Sequence, residues 1–198
     1  MPIDMVAWDF GDTLVDEELM RSPPSGVPGW RDALNDLADA DGWAERWELG
    51  EGSMNELVLP LAERLPMTPV EVARHLRATW RTPRLLEPAM TWLDRLRDVV
   101  VQVIVTVNPH EFHGVAAAAG LDARVDLIVT SAELRSISKV ELTRCARRWL
   151  GLDEDLSTTL LVDNKATNID EFREHGGQAV LFTEHTDALD PLLQPLIT

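Results

Sequence analysis

Five short apolar segments, separated by helix-like stretches, place the strongest limit on the folds open to this chain. The segments are rich in β-branched side chains and do not alternate between apolar and polar positions, which is typical of parallel strands buried on both faces. They span residues 5–8, 99–107, 127–129, 160–162 and 179–182. Helix-like stretches between them end at Gly120, Gly151 and Gly176, and glycine there is a common stop signal. This order predicts an α/β fold with a doubly wound parallel sheet.

The alternation is interrupted once, between about residues 15 and 86, where helix-start signals replace strand signals. Ser53 with Glu56, and Thr68 with Glu71, have the spacing of a capping box at a helix start. Tryptophans are frequent in this stretch, and we expect them to form its own apolar core. They are Trp30, Trp43, Trp47 and Trp80. We therefore predict a core domain of residues 1–14 and 87–198, with a small all-helical cap domain of residues 15–86.

Composition and charge narrow the classes of partner. The formal net charge of −16 repels phosphate backbones and anionic lipid, which argues against nucleic-acid and membrane binding. No apolar stretch approaches the roughly 20 residues that span a bilayer, and the N-terminus has no export-signal pattern. The single cysteine, Cys145, excludes a disulfide within the chain. We expect a cytoplasmic globular protein.

A carboxylate follows the first predicted strand, within the motif Asp9-Phe10-Gly11-Asp12-Thr13-Leu14. Open α/β sheets bind their ligands at the carboxyl ends of the strands, so this side chain is expected in the binding crevice. An Asp there can attack phosphorus or bind a metal ion. Asp and Gly after a strand are also ordinary turn residues, so the other strand ends decide between the two interpretations.

Two further features fall at the same predicted edge. Thr106 ends the second strand and is followed by Asn108 and by a helix beginning near Pro109. A hydroxyl beside a helix N-terminus can hold a phosphate oxygen. Lys139 opens a later helix, capped by Ser138 in a predicted capping box with Glu141. A cation in the first turn opposes the helix dipole, which indicates that Lys139 faces the crevice.

The last feature follows the fourth strand, where Asp163 and Asn164 supply adjacent oxygen ligands. Magnesium binds such oxygens, usually through one or two protein carboxylates together with water and substrate phosphate. It would also offset the repulsion between Asp9 and a phosphate group.

These motifs, in this order and spacing, resemble those of the haloacid dehalogenase (HAD) superfamily, and the helical insert resembles the cap of its phosphoglycolate-phosphatase-like branch. The resemblance implies a Rossmann-like core and Mg²⁺ as cofactor. It implies Asp9 as nucleophile and metal ligand, and the Gly11 carbonyl as a second metal ligand. Thr106, Asn108 and Lys139 would bind the substrate, with Thr106 and Lys139 also assisting catalysis.

The fourth motif and the acid position both depart from the family pattern. Asp163, Asn164 and Asn168 resemble the D-D-x-x-x-N form, with Asp163 and Asn164 as the implied metal ligands, but Asn164 replaces a carboxylate. The first motif is usually D-x-D-G-T-L, whose second Asp is the general acid and base. Here Gly11 occupies that position and Asp12 follows it, so Asp12 is the implied acid if the backbone bends differently.

Three functions are compatible with these residues. The first is a Mg²⁺-dependent phosphatase that acts on a small phosphorylated metabolite through an aspartyl-phosphate at Asp9. The second is a weakened or inactive HAD-fold binding or regulatory protein, suggested by Gly11 and Asn164. The third is a 2-haloacid dehalogenase-like hydrolase, which needs an Asp nucleophile but no acid for the leaving halide.

Overall fold

The computed structural model describes residues 3–17, 22–40, 42–183 and 189–197. Its centre is a five-stranded parallel sheet in the order β3-β2-β1-β4-β5. The strands are β1 (Met5–Trp8), β2 (Val101–Thr106), β3 (Leu127–Thr130), β4 (Thr159–Asp163) and β5 (Gln178–Leu181). The predicted α/β fold is therefore confirmed. The second strand is shorter than residues 99–107, because the Val99 N–H donates to the Leu96 carbonyl in a preceding turn.

A helical segment lies between β1 and β2. Its helices are α1 (Trp30–Asp39), α2 (Trp43–Glu48), α3 (Val58–Arg64) and α4 (Pro69–Arg81). A 3-10 turn, Met54–Leu57, precedes α3, and both predicted capping boxes are formed, at Ser53 and Thr68. Arg21 and Asp41 of the predicted cap domain lie outside the described residues.

The tryptophans of this segment do not share one core. Trp30 is fully buried at the centre of a cluster formed by the helical segment, and Trp43 packs against that cluster. Trp80 belongs instead to the cluster that includes side chains of the sheet, and Trp47 packs against that cluster while its ring contacts those of Trp43 and Trp80, at centroid distances of 5.0 and 5.2 Å. The expectation of a separate tryptophan core is therefore wrong for Trp80, which lies beside Phe10 of the loop after β1.

The remaining helices cover both faces of the sheet. They are α5 (Glu87–Arg95), α6 (Phe112–Ala118), α7 (Ser131–Leu134), α8 (Lys139–Trp149), α9 (Ala166–Glu174) and α10 (Asp190–Leu193). In β1, Val6 and Trp8 pack into one apolar cluster, while Met5 and Ala7 pack into another on the opposite face. Because successive side chains of a strand point to opposite faces, this split is expected of a doubly wound sheet.

The chain leaves and re-enters the sheet region through a short ladder. Val15 and Leu85 form an antiparallel bridge, the Asp16 N–H donates to the Arg84 carbonyl, and the Leu86 N–H donates to the Leu14 carbonyl at 2.9 Å. The ladder therefore holds the two connections to the helical segment side by side. Among the described residues, no helix combines the length and apolar character needed to cross a bilayer.

Candidate active site

The sheet register brings the predicted site residues to one edge. Trp8 pairs with Ile104 on one side and Val162 on the other, and the Asp9 N–H donates to the Val162 carbonyl at 2.8 Å. Asp9 therefore lies next to the carboxyl ends of both β2 and β4. This is the position at which open α/β sheets place ligands.

Lys139 is the electrostatic centre of this edge. Its Nζ lies 2.5 Å from Asp9 Oδ1, 2.7 Å from the Val105 carbonyl oxygen and 3.7 Å from Asp163 Oδ2. The residue is only 2% exposed, and a buried ammonium is stable only when it is paired in this way. The Coulomb attraction and two hydrogen bonds explain why a lysine occupies the first turn of α8 despite the unfavourable helix dipole.

The cap of α8 differs from the prediction. The Ser138 hydroxyl accepts from the Glu141 N–H, but the reciprocal bond of a capping box is absent from the described contacts. The Ser138 N–H donates to Ser136 Oγ instead, and the Ser138 hydroxyl donates to Glu171. The cap is therefore half a capping box, and its hydroxyl also ties α8 to α9.

Asp163 is fully buried behind Asp9 and Lys139. Its Oδ1 accepts from the Lys165 N–H at 2.8 Å, and its Oδ2 accepts from Asn168 Nδ2 at 2.9 Å. Burial, followed by the nearby charge of Asp9, raises the pKa of Asp163 above its ordinary value, against the opposing effect of Lys139. These contacts fix the turn that carries Asn164.

Asn164 presents an oxygen that is suited to a cation. Its Oδ1 is buried and has no hydrogen-bond partner among the described residues. A buried amide oxygen left unpaired is costly, and a metal ion would satisfy it. Within the described ranges no group of three His, Cys, Asp or Glu side chains could hold a metal ion. A cation here would therefore depend on Asp9 together with amide and backbone oxygens.

Thr106 and Asn108 form a polar pair at the end of β2. Thr106 is almost fully buried, and its Oγ1 accepts from Asn108 Nδ2 at 2.7 Å. The next helix, α6, begins at Phe112 rather than near Pro109. The Phe112 N–H donates to the Pro109 carbonyl, which makes a turn before the helix. The pair therefore lies on a loop before the helix rather than at its first turn.

One cavity of about 350 Å³ joins most of these groups. The sequence-predicted residues on its wall are Asp9, Gly11, Asp12, Thr106, Asn108, Lys139 and Asn164. Asp163 is not among the residues that line it. Glu17 and Glu48 also line the cavity, although no sequence motif pointed to them. Both come from the helical segment or its connection, so only the tertiary fold brings them to the strand ends.

A second cavity, of about 200 Å³, adjoins the first and shares Glu17 and Asn108 with it. Its wall in the helical segment is largely apolar and includes Trp43, Trp47 and Leu57. The first cavity is therefore polar and charged and lies at the strand ends, and the second is largely apolar and lies under the helices.

Asp12 occupies an unusual backbone conformation in the loop after β1. Asp12 has φ of 50°, in the left-handed region that favours glycine but that Asp also tolerates. Asp12 Oδ1 accepts from the Glu17 N–H at 3.0 Å. Asp12 therefore lines the cavity and also fixes the backbone of Glu17.

Comparisons with known proteins identify the fold. No protein-family model matches the chain, and no curated protein matches it. Among solved structures, a HAD-like family hydrolase from Porphyromonas gingivalis superposes with a TM-score of 0.71 at 13% identity, covering 100% of both chains. A HAD family enzyme from Bacteroides thetaiotaomicron, solved with magnesium and inorganic phosphate, gives 0.65 at 14% identity, covering 93% of this chain and 96% of that one.

A dehalogenase is similarly close. The L-2-haloacid dehalogenase from Xanthobacter autotrophicus gives a TM-score of 0.68 at 15% identity, covering 99% of this chain and 84% of that one. At such low identities the likeness concerns the fold, which is shared by enzymes of different chemistry. The chain has the α/β fold of the HAD-family hydrolases.

Proposed function

We propose that this protein is a HAD-type hydrolase that removes phosphate from a small phosphorylated metabolite, with Asp9 as the nucleophile. The observation that carries the proposal is the contact of 2.5 Å between Lys139 Nζ and Asp9 Oδ1. Buried lysine and aspartate at the carboxyl edge of the sheet form an oriented nucleophile beside a cation, which is what attack on an anionic phosphoryl group requires.

The neighbouring side chains support this chemistry. Thr106 Oγ1 accepts from Asn108 Nδ2, which orients the hydroxyl so that its own proton can be donated to a phosphoryl oxygen. Lys139 holds Asp9 in place and offsets part of the charge that builds up when the carboxylate approaches phosphate. The overall charge of −16 favours a small-molecule substrate over nucleic acid.

Magnesium fits the residues present. Four carboxylates face the cavity, those of Asp9, Asp12, Glu17 and Glu48, and an anion entering it needs additional positive charge. Asp9, the Gly11 carbonyl and the unpartnered Asn164 Oδ1 would hold the ion, with Asp163 fixing the Asn164 turn. When bound, the ion supplies charge neutralisation for the transferred phosphoryl group.

The test is phosphate release from p-nitrophenyl phosphate and from a panel of small phosphometabolites, with magnesium and with chelator. We expect turnover in magnesium and a loss of at least about a thousandfold in Asp9→Asn, since the aspartyl-phosphate cannot form. Equal rates in the two proteins would refute the assignment of Asp9. Tight binding of phosphoesters without turnover would support a binding or regulatory protein instead.

A second candidate function is displacement of halide from a 2-haloacid. It is favoured by the similarity to the Xanthobacter dehalogenase and by Gly11, because a leaving halide needs no proton donor. It gives no use to the unpartnered Asn164 oxygen. Halide release from 2-chloropropionate in the presence of chelator, absent in Asp9→Asn, would establish it over the phosphatase.

A further inference from the structure

The space beside Gly11 is occupied by the carboxylate of Glu17. A Cβ built on Gly11 would lie 1.8 Å from Glu17 Oε1 and 2.4 Å from Glu17 Cδ, far inside any allowed contact. A side chain at position 11 would therefore require the flexible end of Glu17 to move away. In this structure the Glu17 carboxylate occupies the space that a side chain at position 11 would take.

Backbone conformation does not explain the glycine. Gly11 is absent from the described glycines with positive φ, which include Gly26, Gly29 and Gly42. An L-residue at position 11 would therefore meet no torsional penalty of the left-handed kind. What the glycine does provide is room for the Glu17 side chain.

Asp12 holds Glu17 in that room. Its Oδ1 accepts the Glu17 N–H at 3.0 Å, while its own N–H donates to the Val15 carbonyl at 2.7 Å. These bonds close the turn between the end of β1 and residue 17. Relative to the D-x-D-G-T-L pattern, Gly and Asp are exchanged at positions 11 and 12. Gly11 leaves space that the Glu17 side chain occupies, and Asp12 holds the Glu17 backbone.

Glu17 lines the same cavity as the candidate reacting groups. It is half-buried, and the cavity also contains Asp9, Thr106 and Lys139. Glu17 lines the adjoining apolar cavity under the helices as well, so it lies at the junction of the two. A carboxyl group at this junction lies between the space for a phosphate group and the space for the rest of a phosphomonoester.

We infer that Glu17 is the general acid and base of the phosphatase reaction, an assignment that rests on the proposed function. When Asp9 attacks phosphorus, the phosphorus–ester oxygen bond breaks and the Glu17 carboxyl group donates its proton to the leaving oxygen, giving the alcohol. The Glu17 carboxylate then takes a proton from water as the water oxygen attacks the aspartyl-phosphate. Inorganic phosphate and the free Asp9 carboxylate are released.

The first experiment measures kcat/KM for a series of phosphomonoesters whose leaving groups range from p-nitrophenol to simple alcohols. This constant reports the steps up to departure of the leaving group. In Glu17→Gln we expect a loss of about a hundredfold to ten-thousandfold for alkyl esters and less than about fivefold for p-nitrophenyl phosphate. The plot of log kcat/KM against leaving-group pKa therefore becomes steeper. Glu63→Gln, an exposed change of the same charge on α3, keeps the wild-type slope.

A second variant moves the carboxylate. Gly11→Asp combined with Glu17→Ala restores an acid at position 11 after the obstructing side chain is removed, and we expect at least about tenfold recovery of alkyl-ester turnover over Glu17→Ala alone. Gly11→Asp in the presence of Glu17 should give no gain over the wild type, because the new side chain enters space that Glu17 occupies and Glu17 has to move aside. Circular dichroism and retained turnover of the p-nitrophenyl ester report that each variant is folded.

The outcomes separate this assignment from the function on which it rests. A wild-type protein that hydrolyses no ester at all overturns both. Turnover by the wild type with the same leaving-group slope in Glu17→Gln overturns the role of Glu17 alone. A steeper slope in Asp12→Asn, with an unchanged slope in Glu17→Gln, also overturns it and makes Asp12 the proton donor.

Discussion

The Lys139 side and the Glu17 side of the cavity are built in opposite ways. On the Lys139 side, the groups lie at strand ends and a helix start, are almost fully buried, and have fixed partners. On the Glu17 side, the groups lie on a connecting loop and are half-buried or exposed. The position of the Lys139 side is therefore set by the sheet, whereas the proposed proton-transferring side depends on how the connecting loop packs.

The largest expected loss of stability comes from removing the buried lysine on the Lys139 side. Lys139→Met removes the cation between Asp9 and Asp163 and leaves two carboxylates without it. Loss of one partner from a buried ion pair typically costs about 3–5 kcal/mol of unfolding free energy. Urea denaturation measures the loss. Arg148 lies on the same helix and forms an exposed ion pair with Glu154, so Arg148→Met should shift the urea midpoint far less. Equal midpoints for the two variants would contradict the comparison.

A second ion pair from α8 tests whether an ion pair away from the site affects the reaction. Arg147 is 2% exposed and donates to both oxygens of Asp4 at 2.6 and 3.1 Å, at the amino end of β1, opposite the site. Because the Asp4 side chain is 45% exposed, Asp4→Asn should cost only about 1 kcal/mol of unfolding free energy. Turnover should not change. A fall in kcat without loss of fold would show that this pair also influences the reaction.

The same pair gives a pH dependence. Burial alone would raise the pKa of Asp4, but hydrogen bonds from Arg147 and Thr158 and the charge of Arg147 outweigh it and lower the pKa below 3.8. A carboxylate with a depressed folded-state pKa contributes stability above its unfolded pKa and loses it as the pH falls through the folded pKa. The stability difference between wild type and Asp4→Asn should therefore be full at neutral pH and shrink below about pH 4. A difference that grows on acidification would have the wrong sign.

Asn164→Asp tests the proposed magnesium site on the buried side of the cavity. A second negative oxygen ligand should raise magnesium affinity on the order of tenfold, because hard cations bind carboxylates more tightly than amides. The measurement is the magnesium concentration that raises the melting temperature, which needs no turnover. Asn55→Asp, at an exposed position in the helical segment, is the matched control. Equal magnesium responses in the two variants would remove Asn164 from the cation site.

The smallest effect is expected at an exposed ion pair between the helical segment and the core. Arg135 and Glu51 approach to 3.5 Å, with side chains 75% and 45% exposed. Such surface pairs contribute about 0–1 kcal/mol, so Glu51→Gln should change the urea midpoint very little. A loss as large as that of Asp4→Asn would mean that this contact is more important than its exposure indicates.

The sequence predicts the buried side of the site well for a physical reason. Short β-branched runs define the strands, and parallel pairing then brings the residues that follow them to one edge, as with Asp9, Thr106 and Asp163. Even the unfavourable position of Lys139 on its helix pointed to the crevice. The catalytic and binding roles of these residues stay predictions until turnover is measured.

The Glu17 side of the cavity could not be predicted from the sequence in the same way. Glu17 has no motif spacing, and its relation to Gly11 exists only after the loop has folded. Trp80 lies on a helix of the inserted segment, yet it belongs to the apolar cluster that includes side chains of the sheet. The start of α6 was displaced by a turn after Pro109 that local signals did not distinguish from a helix. In each case a tertiary contact decides the outcome.

The ladder of Val15 and Leu85 holds the two ends of the helical segment next to each other. Because Leu14 and Leu86 are already hydrogen-bonded to each other, a turn of a few residues could join the two connections without redirecting any strand of the sheet. Glu17 lies beyond the ladder, on the side of the segment that would be exchanged. A lineage that replaced the segment would keep Asp9 and Lys139 but exchange Glu17 together with the apolar cavity. Substrate preference and the means of protonating the leaving group would then be inherited as one unit.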